Sequence, residues 1–235
     1  ILPAQSSPGH ETLMYASSAH VELVLIHPDG SEGERIPLES DETVVGRESS
    51  VSILADDPYL SPRHAVFILH AGALSIRDLG SLNGTYVRIQ KEVELTHGDR
   101  FRIGQQLLRY ESAEQPEIIV QPPQDGTRIL GSPDGDGWGR LISVLGQNAD
   151  GPSWSLRTPT IFVGRERGTI VFPEDGFMSG SHCRLVRQGT RAVLSDLGST
   201  NGTYGLVKGA VELDDGDHVL LGQQLFRMRY ARNAS

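Results

Sequence analysis

The sequence predicts an all-β chain of two antiparallel β-sandwich domains, and three observations carry that prediction. Turn formers are dense, with 27 Gly and 13 Pro in 235 residues, which suits many short strands joined by tight loops. Apolar and polar residues alternate over strand-length runs, and no stretch has the period of a long amphipathic helix. The pattern then repeats: VVGRESS at 44–50 returns as FVGRERG at 162–168, DLGSLNGTY at 78–86 as DLGSTNGTY at 196–204, and HGDRFRIGQQL at 97–107 as DGDHVLLGQQL at 215–225. All three matches share an offset of 118 residues. A constant offset means a duplicated unit of roughly 90 residues.

In chain order, 1–19 is a polar leader that begins with Ile1, as expected of a piece of a longer chain, and it lacks the layout of a secretory signal. The first domain is expected over 20–110. There 20–27, a Pro28-Asp29-Gly30 turn and 34–38 read as a hairpin, followed by strands near 43–47, 65–69, 74–78, 85–89 and 100–104. Residues 111–137 are rich in Pro, Gly and acid and read as an extended linker, in which the apolar patch 118–120 is able to dock as a short strand. The second domain, over 138–230, repeats the first.

Composition excludes several functions. The formal charge of −9 argues against broad binding to nucleic acid or anionic membrane, and an aromatic content of 6% argues against a base-stacking platform. The single cysteine, Cys183, excludes an internal disulfide or a multi-cysteine metal site; it reads as a buried small hydrophobe in a chain expected in the cytoplasm. The eight histidines lack ligand spacing, so neither metal nor cofactor is expected. Asp56-Asp57 and Glu174-Asp175 have calcium-ligand chemistry, but solvated loop acids are the simpler reading. No apolar run approaches a membrane span.

The chemistry lies in a repeated set. Copy one carries Gly46-Arg47, Ser61-Pro62-Arg63-His64 and Asn83-Gly84-Thr85; copy two carries Gly164-Arg165, Ser179-Gly180-Ser181-His182 and Asn201-Gly202-Thr203. All fall at strand ends or in loops, where a sandwich gathers binding residues. A guanidinium fork, a Ser hydroxyl and loop amides suit a phosphate, and an Asn amide suits a bound main chain. Ser and His together also suggest a hydrolase, but no G-x-S-x-G elbow or third orienting carboxylate accompanies them.

In these motifs the chain resembles the forkhead-associated (FHA) family, twice over. The resemblance implies sandwiches of about eleven strands whose loops bind a phosphothreonine peptide. It implies phosphate held by Arg165, Ser179 and Gly180 with help from Thr200, and peptide backbone held by Asn201. The counterparts in copy one are Arg47, Ser61 and Asn83. His64, His182, Gly84 and Gly202 would brace the loops. Copy one departs from the family pattern, with Pro62 where an N–H is wanted and Leu82 where copy two has Thr200. Net charge differs in the same sense, −5 over 20–110 and +1 over 138–230.

The expectation is a non-catalytic signalling adaptor whose partner is a phosphothreonine protein, a target of a Ser/Thr kinase, with copy two the stronger reader. The alternative is a scaffold or dimerisation protein in which one domain binds an unphosphorylated partner. Oligomeric state is left open. Thr12, in the leader, is a candidate for phosphorylation and binding in cis, although an inert leader is the simpler reading.

Overall fold

Alternation sets the strands as expected. In β1 (His20–Ile26) Val21, Leu23 and Leu25 are buried, and the chain turns back into β2 (Glu32–Leu38) as the predicted hairpin. The computed structural model describes residues 20–49, 52–113, 137–146, 149–189 and 191–231. The leader with Thr12, and the patch at 118–120, lie outside the described residues.

Copy one continues through β3 (Glu42–Val45), a four-residue helix α1 (Ser52–Ala55), β4 (Ala65–His70), β5 (Ala73–Asp78), β6 (Thr85–Arg88), β7 (Val93–Leu95), β8 (Arg100–Ile103) and β9 (Gln106–Ser112). Copy two supplies β10 (Gly139–Gly146), β11 (Ala149–Leu156), β12 (Thr160–Gly164), β13 (Ile170–Val171), β14 (Cys183–Gln188) and β15 (Arg191–Asp196). It ends with β16 (Thr203–Leu206), β17 (Ala210–Leu213), β18 (His218–Leu221) and β19 (Gln224–Ala231). The fold is all-β. Among the described residues every strand pairing is antiparallel except β12 with β13, and β13 takes the place that α1 has in copy one. Among the described residues the copies hold nine and ten strands, where the family resemblance implied about eleven.

The pairing does not follow the repeat boundaries. A ten-stranded sheet runs β11-β10-β9-β8-β16-β6-β18-β19-β1-β2. Its central pair, β16 with β6, joins the copies, and Val87 stands opposite Gly205 on a pseudo-twofold axis between them. On either side the order repeats with the copies interchanged. A four-stranded sheet, β17-β5-β4-β3, and a five-stranded sheet, β13-β12-β14-β15-β7, each borrow an edge strand from the other copy. The repeat units 20–110 and 138–230 are therefore units of sequence, and the packing units are cut differently.

Both cores are hybrids for this reason. One packs Leu23, Val45, Phe67 and Ile76 of copy one with Leu213, Val219, Phe226 and Met228 of copy two. The other packs Leu141, Ile161, Cys183 and Leu194 of copy two with Leu95, Phe101, Leu108 and Tyr110 of copy one. The crossover falls at Asn-Gly-Thr. The segments before Asn83 and Asn201 pack in the core of their own copy, and the strands that follow β6 and β16 pack in the core of the other.

Candidate functional site

Each copy brings its own motif residues together at one edge. A Cβ on Gly46 or Gly164 would collide with the carbonyl of Pro62 or Gly180, so only glycine lets the Gly-Arg strand end lie this close to the Ser loop. The approach is locked by Arg47 N–H to Ser61 O at 3.2 Å and Arg165 N–H to Ser179 O at 2.9 Å. The Asn-Gly-Thr turn closes on the same loop. Leu82 N–H donates to Ser61 Oγ and Thr200 N–H to Ser179 Oγ, both at 3.1 Å. Asn83 Nδ2 donates to Tyr59 O at 2.8 Å, and Asn201 Nδ2 to Phe177 O at 2.7 Å. Gly84 and Gly202 take φ of 80° and 83°, the left-handed region that this turn requires.

His64 and His182 are fully buried behind these loops. The Nδ1 of each accepts the N–H of Ser61 or Ser179 at 3.1 Å. With Nδ1 accepting, Nε2–H donates to the carbonyl of Gly84 at 3.1 Å or Gly202 at 3.0 Å. Both ring nitrogens are thus spent on backbone, and neither is placed to take a proton from the Ser hydroxyl. Burial is the main cause that holds both imidazoles below the ordinary histidine value, against an opposing push from the glycine carbonyls. The unfolded chain then binds protons at higher pH than the folded one, so this stability is present above the ordinary histidine range and is lost as pH falls through the folded values. His182→Ala should cost about 2–3 kcal/mol, since it orphans a buried N–H and a buried carbonyl. The melting temperature of the full chain should fall on acidification toward about pH 5. That fall should shrink in His64→Ala/His182→Ala; an unchanged pH profile would overturn the assignment.

Asp78 and Asp196 build the turn preceding each Asn. Burial raises their carboxyls, but hydrogen bonds from Ser81 and Thr85, or Thr203 and Ser199, outweigh it and hold both below the usual range. Asp57 and Asp175 correct the reading of solvated acids, because both are buried. Asp57 accepts N–H bonds from Tyr59 and, across the crossover, from Gln223 at 2.8 Å. Asp175 does the same with Phe177 and with Gln105 at 2.8 Å. Each site loop is seated on the Gly-Gln-Gln turn of the other copy. Asp56 and Glu174 beside them are exposed.

The two arginines differ. Arg165 points its guanidinium at Glu166, with Nη2 to Oε1 at 2.7 Å, and a Cβ on Gly180 would lie 3.5 Å from the same carboxylate. A carboxylate thus occupies the corner between Arg165 and Gly180. Arg47 instead donates Nε to Leu60 O at 2.8 Å. Leu82 is exposed where copy two presents Thr200. Cys183 sits in the hybrid core on β14, and burial pushes its thiol up. Among the described residues no helix is long and apolar enough to cross a membrane.

Comparison with known proteins adds a family. The FHA domain model matches residues 43–104 and 161–222, just over half of the chain. Glycogen accumulation regulator GarA of Mycolicibacterium smegmatis is 37% identical over 84 residues, 35% of this chain and 53% of GarA. An oxoglutarate dehydrogenase inhibitor of Corynebacterium glutamicum is 35% identical over 103 residues, 43% of this chain and 69% of that protein. The chain thus spans about half the length of GarA and about two thirds of the inhibitor. The solved structure of Mycobacterium tuberculosis EmbR in complex with a low affinity phosphopeptide is 28% identical, covering 36% of this chain and 23% of that one, with a TM-score of 0.23.

Proposed function

Since the chain belongs to the FHA domain family, we propose that it is a phosphothreonine-peptide binding module and a non-catalytic signalling adaptor, acting in the cytoplasm on a target of a Ser/Thr kinase. The observation that carries this reading is the corner formed by Arg165, Ser179 and Gly180, where Glu166 already sets a carboxylate against the guanidinium. An exposed ion pair of this kind is worth about 0–1 kcal/mol. A phosphate of charge about −1.5 to −2 displaces it readily. Thr200 and Asn201, exposed beside the corner, are assigned to the phosphate and the peptide main chain. The names of the relatives, a regulator and an inhibitor, fit a protein that works by binding.

Copy one is proposed as the weaker reader. Pro62 has no N–H, Leu82 replaces a hydroxyl, and Arg47 is partly engaged by Leu60 O. The exposed Leu82 favours a second reading for this edge, an unphosphorylated partner with an apolar contact. Titration of the full chain with a phosphothreonine peptide and its unmodified twin tests the proposal. Binding of the phosphorylated form alone is expected; equal binding of both would overturn it.

A further inference from the structure

Sheet register brings together three arginines and a histidine that lie far apart in sequence, and burial, with Arg88 and Arg227 beside it, holds the histidine, His218, below its ordinary value. Tyr204 pairs across the strands with Arg102 on one side and with Arg88 on the other. Val87 pairs with Val219, which sets Arg88 beside His218, and His218 pairs with Arg227. The row Arg102, Tyr204, Arg88, His218, Arg227 therefore crosses the shared sheet on one face. It lines a cleft of about 1010 Å³ that also takes in Thr200 and Asn201.

Arg102, Arg88 and Arg227 stand on alternate strands of this row, about 10 Å apart, close enough for their like charges to favour a bound anion. Glu32 already pairs with Arg227. Arg88 donates to Ser199 O at 3.3 Å and packs on Gly202, so it holds the row against the copy-two site. Arg102 Nε and His218 Nδ1 are buried without a hydrogen-bond partner. The pseudo-twofold axis supplies an internal control. The mirror row reads Leu220, Tyr86, Leu206, Arg100, Arg109, so Arg102 and Arg88 are replaced by leucines. Arg109 in that row is neutralised by Glu111 and Asp150. Among the ion pairs of the described residues none takes Arg88 or Arg102, on the side where the copy-two motif opens, whereas the mirror row keeps Arg100 alone outside such a pair.

We propose that this seam cleft is an anion-binding extension of the copy-two site, so that the ligand is a phosphothreonine peptide carrying a further anionic side chain, a carboxylate or a second phosphate. The inference rests on the phosphopeptide reading above and adds the ligand's charge pattern. The cleft draws on both copies: Arg88 and Arg102 come from copy one, while His218, Arg227 and the phosphothreonine motif come from copy two. Neither copy alone contains it.

The test uses the full chain and three kinds of phosphothreonine peptide: neutral flanks, a Glu scanned through the flanking positions, and a phosphoserine scanned likewise. The best anionic peptide should bind at least about tenfold tighter than the neutral one, with a steeper salt dependence. In Arg102→Leu, which installs the residue the mirror row already accommodates and touches no residue of the copy-two motif, that preference should fall severalfold while the neutral peptide binds as before. The Glu and phosphoserine arms show which anion the cleft takes. Equal binding of neutral and anionic peptides, or a preference that survives Arg102→Leu undiminished, would overturn the inference and leave the copy-two site intact. Failure of every phosphopeptide to bind would overturn both readings.

Discussion

Arg165→Ala is expected to weaken phosphothreonine-peptide binding by tenfold to more than a hundredfold, corresponding to the roughly 1.5–3 kcal/mol of a charge-assisted hydrogen bond. The fold should be unaffected, because the guanidinium touches only the exposed carboxylate of Glu166 while the residue's backbone N–H keeps its bond to Ser179 O. Arg47→Ala should cost less binding, since its edge already lacks donors at Pro62 and Leu82. It should cost some local order instead, through loss of the bond to Leu60 O. Calorimetry on the full chain separates the two sites by stoichiometry. Unchanged affinity in Arg165→Ala would sink the assignment of the corner, and a larger loss in Arg47→Ala would reverse the ranking of the copies.

Local structure was the legible part. The strands expected at 43–47, 65–69, 74–78, 85–89 and 100–104 end within a residue or two of β3, β4, β5, β6 and β8. Turn chemistry and period-two alternation are local, so sequence reports them directly. The short β7 and the small α1 escaped notice because three or four residues carry no period, and β9 (Gln106–Ser112) was not named either. The grouping of the motif residues was legible for the same reason: Ser61 bonds His64 and Leu82, His64 bonds Gly84, and Asn83 bonds Tyr59, all within one copy. Asp57 and Asp175 were misread because their burial comes from turns in the other copy. The basic row was invisible, since Arg88, Arg102, His218 and Arg227 become neighbours only through register. The crossover was unreadable too: Val93-Glu94-Leu95 and Val211-Glu212-Leu213 are the same tripeptide, so neither names the sheet it joins.

Cutting the chain within 114–136 should leave its two halves bound to each other. A protease site placed there, followed by cleavage and size exclusion under native conditions, should give one particle that separates only in denaturant. Each core holds large side chains lent by the other half, Leu213, Val219, Leu221, Phe226 and Met228 in one and Leu95, Phe101, Ile103, Leu108 and Tyr110 in the other. Burying one such side chain is worth about 1.5–3 kcal/mol, so separation exposes far more than the free energy that association costs. The competing arrangement closes each copy on itself, with β7 on β5 and β17 on β15, and the repeat makes it nearly equal in apolar burial. Polar contacts distinguish the two only slightly. Glu94 meets Arg191 at 3.2 Å in the exchanged form, whereas the residue corresponding to Arg191 in copy one is Ala73; Glu92, now on Arg184 and Ser195, would find Arg77 instead. Surface pairs of this kind contribute about 0–1 kcal/mol each. The measurement is therefore sharp: two half-sized particles after cleavage would mean that each copy closes alone, and a single particle means that both motif edges stand on a framework neither copy can build by itself.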